Sequence, residues 1–157
     1  MAGRYTVYPR TLVFLMRGDR VLLIRRPPHA RPFPRLFNGV GGHVERGEDI
    51  LSAAVREVEE ETGLRVASLQ LRAVLSIPHA QLDEQDGAGG VRDDGPGALV
   101  FIFVGQAPQG EVVSKEAGEL RWVALDRLHE LEMVPDLHDI LPRVLGHADA
   151  CPLFLRG

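Results

Sequence analysis

The sequence predicts one mixed α/β domain spanning residues 1–157, and three observations carry that reading. At 157 residues a single core buries roughly two thirds of the unfolded surface, so no disulfide or metal staple is required. Apolar residues make up 45% and charged residues 25%, which excludes a disordered, collagen-like or coiled-coil chain. Short apolar runs stand before, between and after segments of helical period, the order expected when strands and helices share one core. No repeat with a period of about 20 to 50 residues interrupts this arrangement.

The elements follow in order. Residues 12–16 and 21–24 are short apolar runs that flank Arg17-Gly18-Asp19-Arg20, a hairpin signal in which Gly18 supplies the turn. Residues 25–37 hold four prolines and four arginines and must form a loop. Residues 37–44 read as a short extended segment interrupted by Gly39, Gly41 and Gly42. From 49 to 62 the period changes: Ile50, Leu51, Ala54, Val55 and Val58 recur at spacings of three and four and form one apolar stripe. Asp49 suits the N-cap of this helix, and Gly63-Leu64 is a stop signal. Residues 69–77 and 99–104 read as strands, separated by a glycine- and acid-rich stretch at 81–97 with the composition of a mobile surface loop. Residues 120–123 read as a last strand and 136–145 as a closing helix.

Charge and cysteine content narrow the function classes. Eighteen basic against twenty-two acidic residues give a net charge of −4. A general nucleic-acid binder would instead need a basic face to displace counterions. Cys151 is the single cysteine, so there is no internal disulfide and nothing points to an oxidising compartment. The apolar run at 11–16 is too short for a signal peptide and lacks a small-residue cleavage site, and nothing approaches a membrane span. The expectation is a soluble cytoplasmic protein with no nucleic-acid or membrane partner. Lys115 is the only lysine beside the arginines, and arginine suits bidentate phosphate contacts.

One feature resists a purely structural explanation. Glu57, Glu60 and Glu61 stand at i, i+3 and i+4 and share one helix face. Each like-charge pair at such spacings costs about 0.2–0.5 kcal/mol. They also crowd the end that carries the negative half of the helix dipole, where about 0.3–1 kcal/mol more is at stake for each. Arg56 can pair with a neighbour but cannot neutralise the whole run. A divalent cation can, and converging carboxylates suit a hard ion such as Mg²⁺ or Mn²⁺. No cysteine or histidine pair at zinc spacing competes.

The run belongs to a longer pattern, Gly42-x5-Glu48-x7-Arg56-Glu57-Val58-x-Glu60-Glu61-x-Gly63-Leu64. The seven positions held by Gly, Glu or Arg at average usage arise by chance in such a chain with a probability on the order of 10⁻⁶ or less. This pattern matches the Nudix box without exception, and the chain is identified as resembling the MutT/Nudix hydrolase family. The resemblance implies an α/β/α sandwich with a mixed sheet between helices, and Mg²⁺- or Mn²⁺-dependent hydrolysis of a nucleoside diphosphate linked to another group. Carried over by position, Glu57, Glu60 and Glu61 are metal ligands, with the Gly41 carbonyl completing the cluster. Arg56 orients Glu57 through a salt bridge, and Glu48 has a structural role near the helix start. The resemblance also implies a base, either a box glutamate such as Glu60 or a later loop carboxylate. Ser114-Lys115-Glu116-Ala117-Gly118-Glu119 precedes Trp122 much as a Lys-Glu-Gly segment precedes a tryptophan in MutT, which favours Glu116 over Glu119.

Substrate residues follow from weaker similarity. Leu36-Phe37-Asn38-Gly39-Val40-Gly41-Gly42 resembles the Trp-Asn-Gly-Phe-Gly-Gly segment of the branch that clears oxidised purine triphosphates, which makes Asn38 the candidate for base recognition. Its amide can donate and accept against a purine edge. Met133-Val134-Pro135-Asp136-Leu137 resembles a Met-Trp-Pro-Asp-Asp segment of that branch. Asp136 is retained, while Val134 and Leu137 replace the stacking tryptophan and the second aspartate. Pro78 falls near a proline position of the ADP-ribose branch. Arg25, Arg26, Arg31 and Arg35 are candidates to clamp phosphate, Arg25 and Arg35 foremost. The reading is a nucleoside triphosphate, ordinary or oxidised, cleaved to monophosphate and pyrophosphate. ADP-ribose, a nucleotide sugar or a dinucleoside polyphosphate is the alternative, and a non-catalytic nucleotide sensor is the rival class. A homodimer is implied by resemblance alone.

Overall fold

The computed structural model describes residues 3–78, 95–114 and 118–157. Seven strands form one mixed sheet: β1 Val7–Arg17, β2 Arg20–Arg25, β3 Phe37–Asn38, β4 Gln70–Ile77, β5 Gly97–Gln106, β6 Glu119–Ala124 and β7 Leu153–Arg156. The order is β3-β2-β1-β5-β4-β7, with β6 antiparallel to β2. β1 runs parallel to β5 from Val7↔Gly97 to Met16↔Gln106. Among the described residues two α-helices complete the fold, α1 Ile50–Thr62 and α2 Leu137–Gly146, with a 3-10 turn at Leu125–Glu130.

Apolar side chains on β1 divide between two cores. Val13 and Leu15 pack with Ala54 and Val58 of α1, whereas Phe14 packs with Leu137, Ile140, Leu141 and Val144 of α2. The sheet therefore lies between the helices, as expected from the resemblance. Val13, Phe14 and Leu15 are all fully buried because each face of the strand is covered. That is why this stretch reads as a continuous apolar run rather than an alternating one.

The β1–β2 hairpin pairs only near its turn, at Met16↔Val21 and Arg17↔Arg20. Beyond that point the two strands fork. Phe37 and Asn38 pair with β2, while Val40 and His43 bridge to Val13 and Arg10 of β1. Residues 37–43 thus fill the fork, held by Val13 N to Val40 O at 2.6 Å and Thr11 N to Gly42 O at 2.8 Å. The fit is too close for side chains. A β-carbon on Gly41 would overlap the Thr11 carbonyl, and one on Gly39 would sit 2.9 Å from the Val13 oxygen.

Helix α1 begins where the carboxylate of Asp49 accepts from the Ser52 amide at 2.9 Å and from its hydroxyl at 2.6 Å. It ends at Gly63, whose φ of +76° is left-handed and whose N–H donates to the Glu59 carbonyl. The N-cap and the stop stand where the sequence places them. Two features differ from expectation. Residues 37–44 contribute only the two-residue strand β3 plus bridges, since the segment changes partner midway. Strand β7 was not anticipated, because four residues alternating half-buried and exposed carry little periodicity. The stretch read as a mobile loop lies outside the described residues up to 94, and Gly97 opens β5. Among the described residues no helix is long and apolar enough to cross a membrane.

Phe14 is fully buried in a close-packed core. Phe14→Ala is expected to cost about 3–5 kcal/mol, read as a lower midpoint in urea at unchanged slope.

Candidate active site

The fork delivers the Gly41-Gly42 backbone against the last turns of α1. A β-carbon on Gly42 would collide with the Glu57 carboxylate, so this glycine makes room for an acid packed onto the main chain. One turn on, Glu61 accepts a hydrogen bond from the Gly41 amide at 2.9 Å.

Arg56 is the hub of this face. Its Nε and Nη2 grip Glu48 as a fork at 2.7 and 2.9 Å, and Nη2 also donates to the His43 carbonyl at 3.1 Å. Nη1 donates to both Glu57 and Glu60, each at 3.1 Å. One guanidinium therefore joins the loop before the helix to three acids of the box. The hydrogen bonds that Arg56 donates to Glu48 first, and then the charge of Glu57, hold Arg56 above its already high ordinary pKa. The Arg56 hydrogen bond, followed by the Glu45 amide, holds Glu48 below the usual carboxylate value.

Glu57 and Glu60 thus converge on one nitrogen, while Glu61 turns to the Gly41 amide. Among the described residues no three acidic, histidine or cysteine side chains are gathered at ligating distance. The donor set still fits a hard divalent cation: every candidate ligand is an oxygen, three carboxylates and a backbone carbonyl, and the Glu60 side chain is 50% exposed.

A cleft of about 700 Å³ opens beside this face. It brings together Asn38, Gly41, Glu61 and Asp136 over an apolar floor that includes Leu75, Ile77 and Val100. The Asn38 side-chain oxygen accepts from the Gly39 amide at 2.8 Å, so its NH2 end is the one a ligand can meet. Asp136 precedes α2 with a left-handed φ of +68°.

Other expected residues lie elsewhere. Arg25 and Arg35 do not line the cleft: the Arg25 Nε donates to the Arg35 carbonyl at 3.1 Å, and its guanidinium is 3.9 Å from Glu119. Arg26 does line it, as do Arg10, His29 and Phe33, which sequence reasoning missed. Arg10 carried a usable signal, since it stands two residues before Leu12 and shares its face of the strand. Glu116 lies outside the described residues. Glu119 opens β6, and its carboxylate accepts from Arg121 at 2.7 Å. Pro78 follows β4 and is absent from the cleft lining.

This architecture, an acidic helix face packed on a glycine-rich strand insert, has a family. Residues 8–144 match the NUDIX domain model, and the chain belongs to the Nudix hydrolases, enzymes that act on phosphorus-containing acid anhydrides and generally use divalent metal ions. Among particular relatives, it is 32% identical over 125 residues to the NAD-capped RNA hydrolase NudC of Pseudomonas aeruginosa, covering 78% of this chain and 38% of that protein. It is 30% identical over 122 residues to the Nudix hydrolase YvcI of Bacillus subtilis, covering 77% of this chain and 68% of YvcI. The chain thus spans about two fifths of the NudC relatives' length. Its fold superposes on the MutT protein of Bacillus halodurans with a TM-score of 0.72 at 27% identity, covering 94% and 87% of the two chains.

The lowered pKa of Glu48 has a consequence for stability. Its contribution is fully present above the ordinary value of 4.5 and is lost as pH falls through the lower folded-state value. Glu48→Gln is expected to melt below wild type at pH 7, with the gap closing as pH falls below 4.5. Melting curves at a series of pH values check this; a gap independent of pH would contradict it.

Proposed function

We propose that the chain is an Mg²⁺- or Mn²⁺-dependent nucleotide pyrophosphohydrolase that cleaves a nucleoside triphosphate, ordinary or oxidised, to monophosphate and pyrophosphate. The observation that carries the proposal is the cleft itself, which brings base-reading candidates Asn38 and Asp136 together with Gly41 and Glu61 at the box. Its volume is that of a small-molecule site.

A bound divalent cation supplies charge screening across the diphosphate and a more acidic water. Glu57, Glu60 and Glu61 would hold it, with the Gly41 carbonyl as a further oxygen. The protein's own part is to position and to move a proton. Arg56 orients Glu57 and holds Glu60 beside it through the same nitrogen. A carboxylate takes the proton of the attacking water as its oxygen bonds to phosphorus and the bridging oxygen leaves with the departing group. Glu60 is the exposed box candidate for that base, and Glu116 the late-loop candidate. Asn38 and Asp136 meet the base edge with a donor and an acceptor, the pairing a purine requires.

A second reading is favoured by the similarity to NudC, whose name specifies NAD-capped RNA. Here the substrate would be a dinucleotide joined through its diphosphate. The net charge of −4 weighs against a long nucleic-acid footprint but not against a cap, where only the terminal dinucleotide enters the cleft.

Glu60→Gln is expected to keep nucleotide binding while lowering kcat by roughly 10²-fold or more. Unchanged turnover in both Glu60→Gln and Glu57→Gln would remove the box from the chemistry. Glu116→Gln and Glu119→Gln, compared at saturating substrate, separate the two late carboxylates. A substrate panel containing 8-oxo-dGTP, the standard dNTPs, ADP-ribose and NAD, with products separated by chromatography, distinguishes the two readings. Monophosphate plus pyrophosphate supports the first, and two mononucleotides from NAD support the second.

A further inference from the structure

Residues 27–34 form a loop closed at its base by Arg26 N to Leu36 O at 2.9 Å and Arg35 N to Arg26 O at 3.1 Å. Prolines at 27, 28, 32 and 34 remove most of its backbone freedom, and the Ala30 amide closes a turn on the Pro27 carbonyl. Within this frame Phe33 has a φ of +60°. A bulky side chain in the left-handed region is a genuine outlier, and such outliers persist where the surroundings over-determine them and a site makes use of them.

The ring is not there to build the interior. Phe33 is half-buried and belongs to neither core cluster. It lines the cleft instead. All nine Phe, Tyr and Trp side chains of the chain lie in described residues, and Phe33 alone among them lines that cleft. Val134 and Pro135, also on the cleft lining, are aliphatic. A heteroaromatic base entering beside Asn38 and Asp136 therefore has one carbocyclic face available to it, held by a loop that pays little ordering entropy on binding.

We propose that Phe33 is a base-binding residue that stacks on the base of the nucleotide, while Asn38 and Asp136 read its edge. The inference rests on the nucleotide reading above and adds the surface that holds the base. Stacking on a benzene ring tolerates any base, so discrimination falls to the edge contacts.

The test uses the fluorescence of 2-aminopurine deoxyribonucleoside monophosphate, which stacking quenches, titrated with wild type and with Phe33→Ala, Phe33→Leu and Phe33→Trp. The expected result is quenching by wild type, loss of quenching with roughly tenfold weaker Kd in Phe33→Ala and Phe33→Leu, and recovery in Phe33→Trp. Leucine keeps the apolar bulk, so its failure to rescue separates stacking from filling space; thermal melts confirm that both variants are folded. Quenching and affinity in Phe33→Leu equal to wild type would overturn the stacking role alone. Absence of binding by wild type would overturn the nucleotide reading, and the stacking role with it.

Discussion

The site depends on one guanidinium. Arg56 reaches back to Glu48 and the His43 carbonyl and forward to Glu57 and Glu60. Without it the last turns of α1 would hold like charges at i, i+3 and i+4 on the helix end least able to tolerate them. Arginine suits the position and lysine does not, because a planar fork can satisfy acceptors in several directions at once, whereas an ammonium acts as a point charge. The gathered acids still carry excess negative charge. That excess is unfavourable for stability, and under the proposed function a bound cation would offset it.

The second constraint is steric. The fork between β1 and β2 admits residues 37–43 only because Gly39 and Gly41 bring no side chain against β1. Gly42 in turn gives way to the Glu57 carboxylate. Strand pairing, the glycine run and the acidic helix are therefore one unit. The insert fixes the backbone of Gly41, the Gly41 amide holds Glu61, and the same segment carries Asn38 into the cleft.

Legibility in the sequence followed the range of the interactions. The helix with Asp49 and Gly63 at its ends, and the common face of Glu57, Glu60 and Glu61, were readable because a single turn's spacing determines them. The hairpin was readable from Gly18 between two apolar runs. The change of partner within residues 37–43 was not, since it depends on Val40 and His43 finding Val13 and Arg10 some thirty residues away. The cleft arginines show the same limit. Arg26 shares the parity of Ile24 and lines the cleft with it, whereas Arg25, of opposite parity, lies 6.0 Å from the Phe37 ring. Phe33 gave no signal, because in a proline-rich loop no period assigns a side chain to a face.

We propose above that the carboxylates ordered by Arg56 form the cation site. Titration of the protein with Mn²⁺, following free Mn²⁺ by electron paramagnetic resonance, tests it without any assumption about substrate. Wild type is expected to bind Mn²⁺, and removing two box carboxylates together, Glu57→Gln with Glu60→Gln, is expected to weaken binding at least tenfold while the protein stays folded. Equal Mn²⁺ affinity in wild type and the double variant would contradict it.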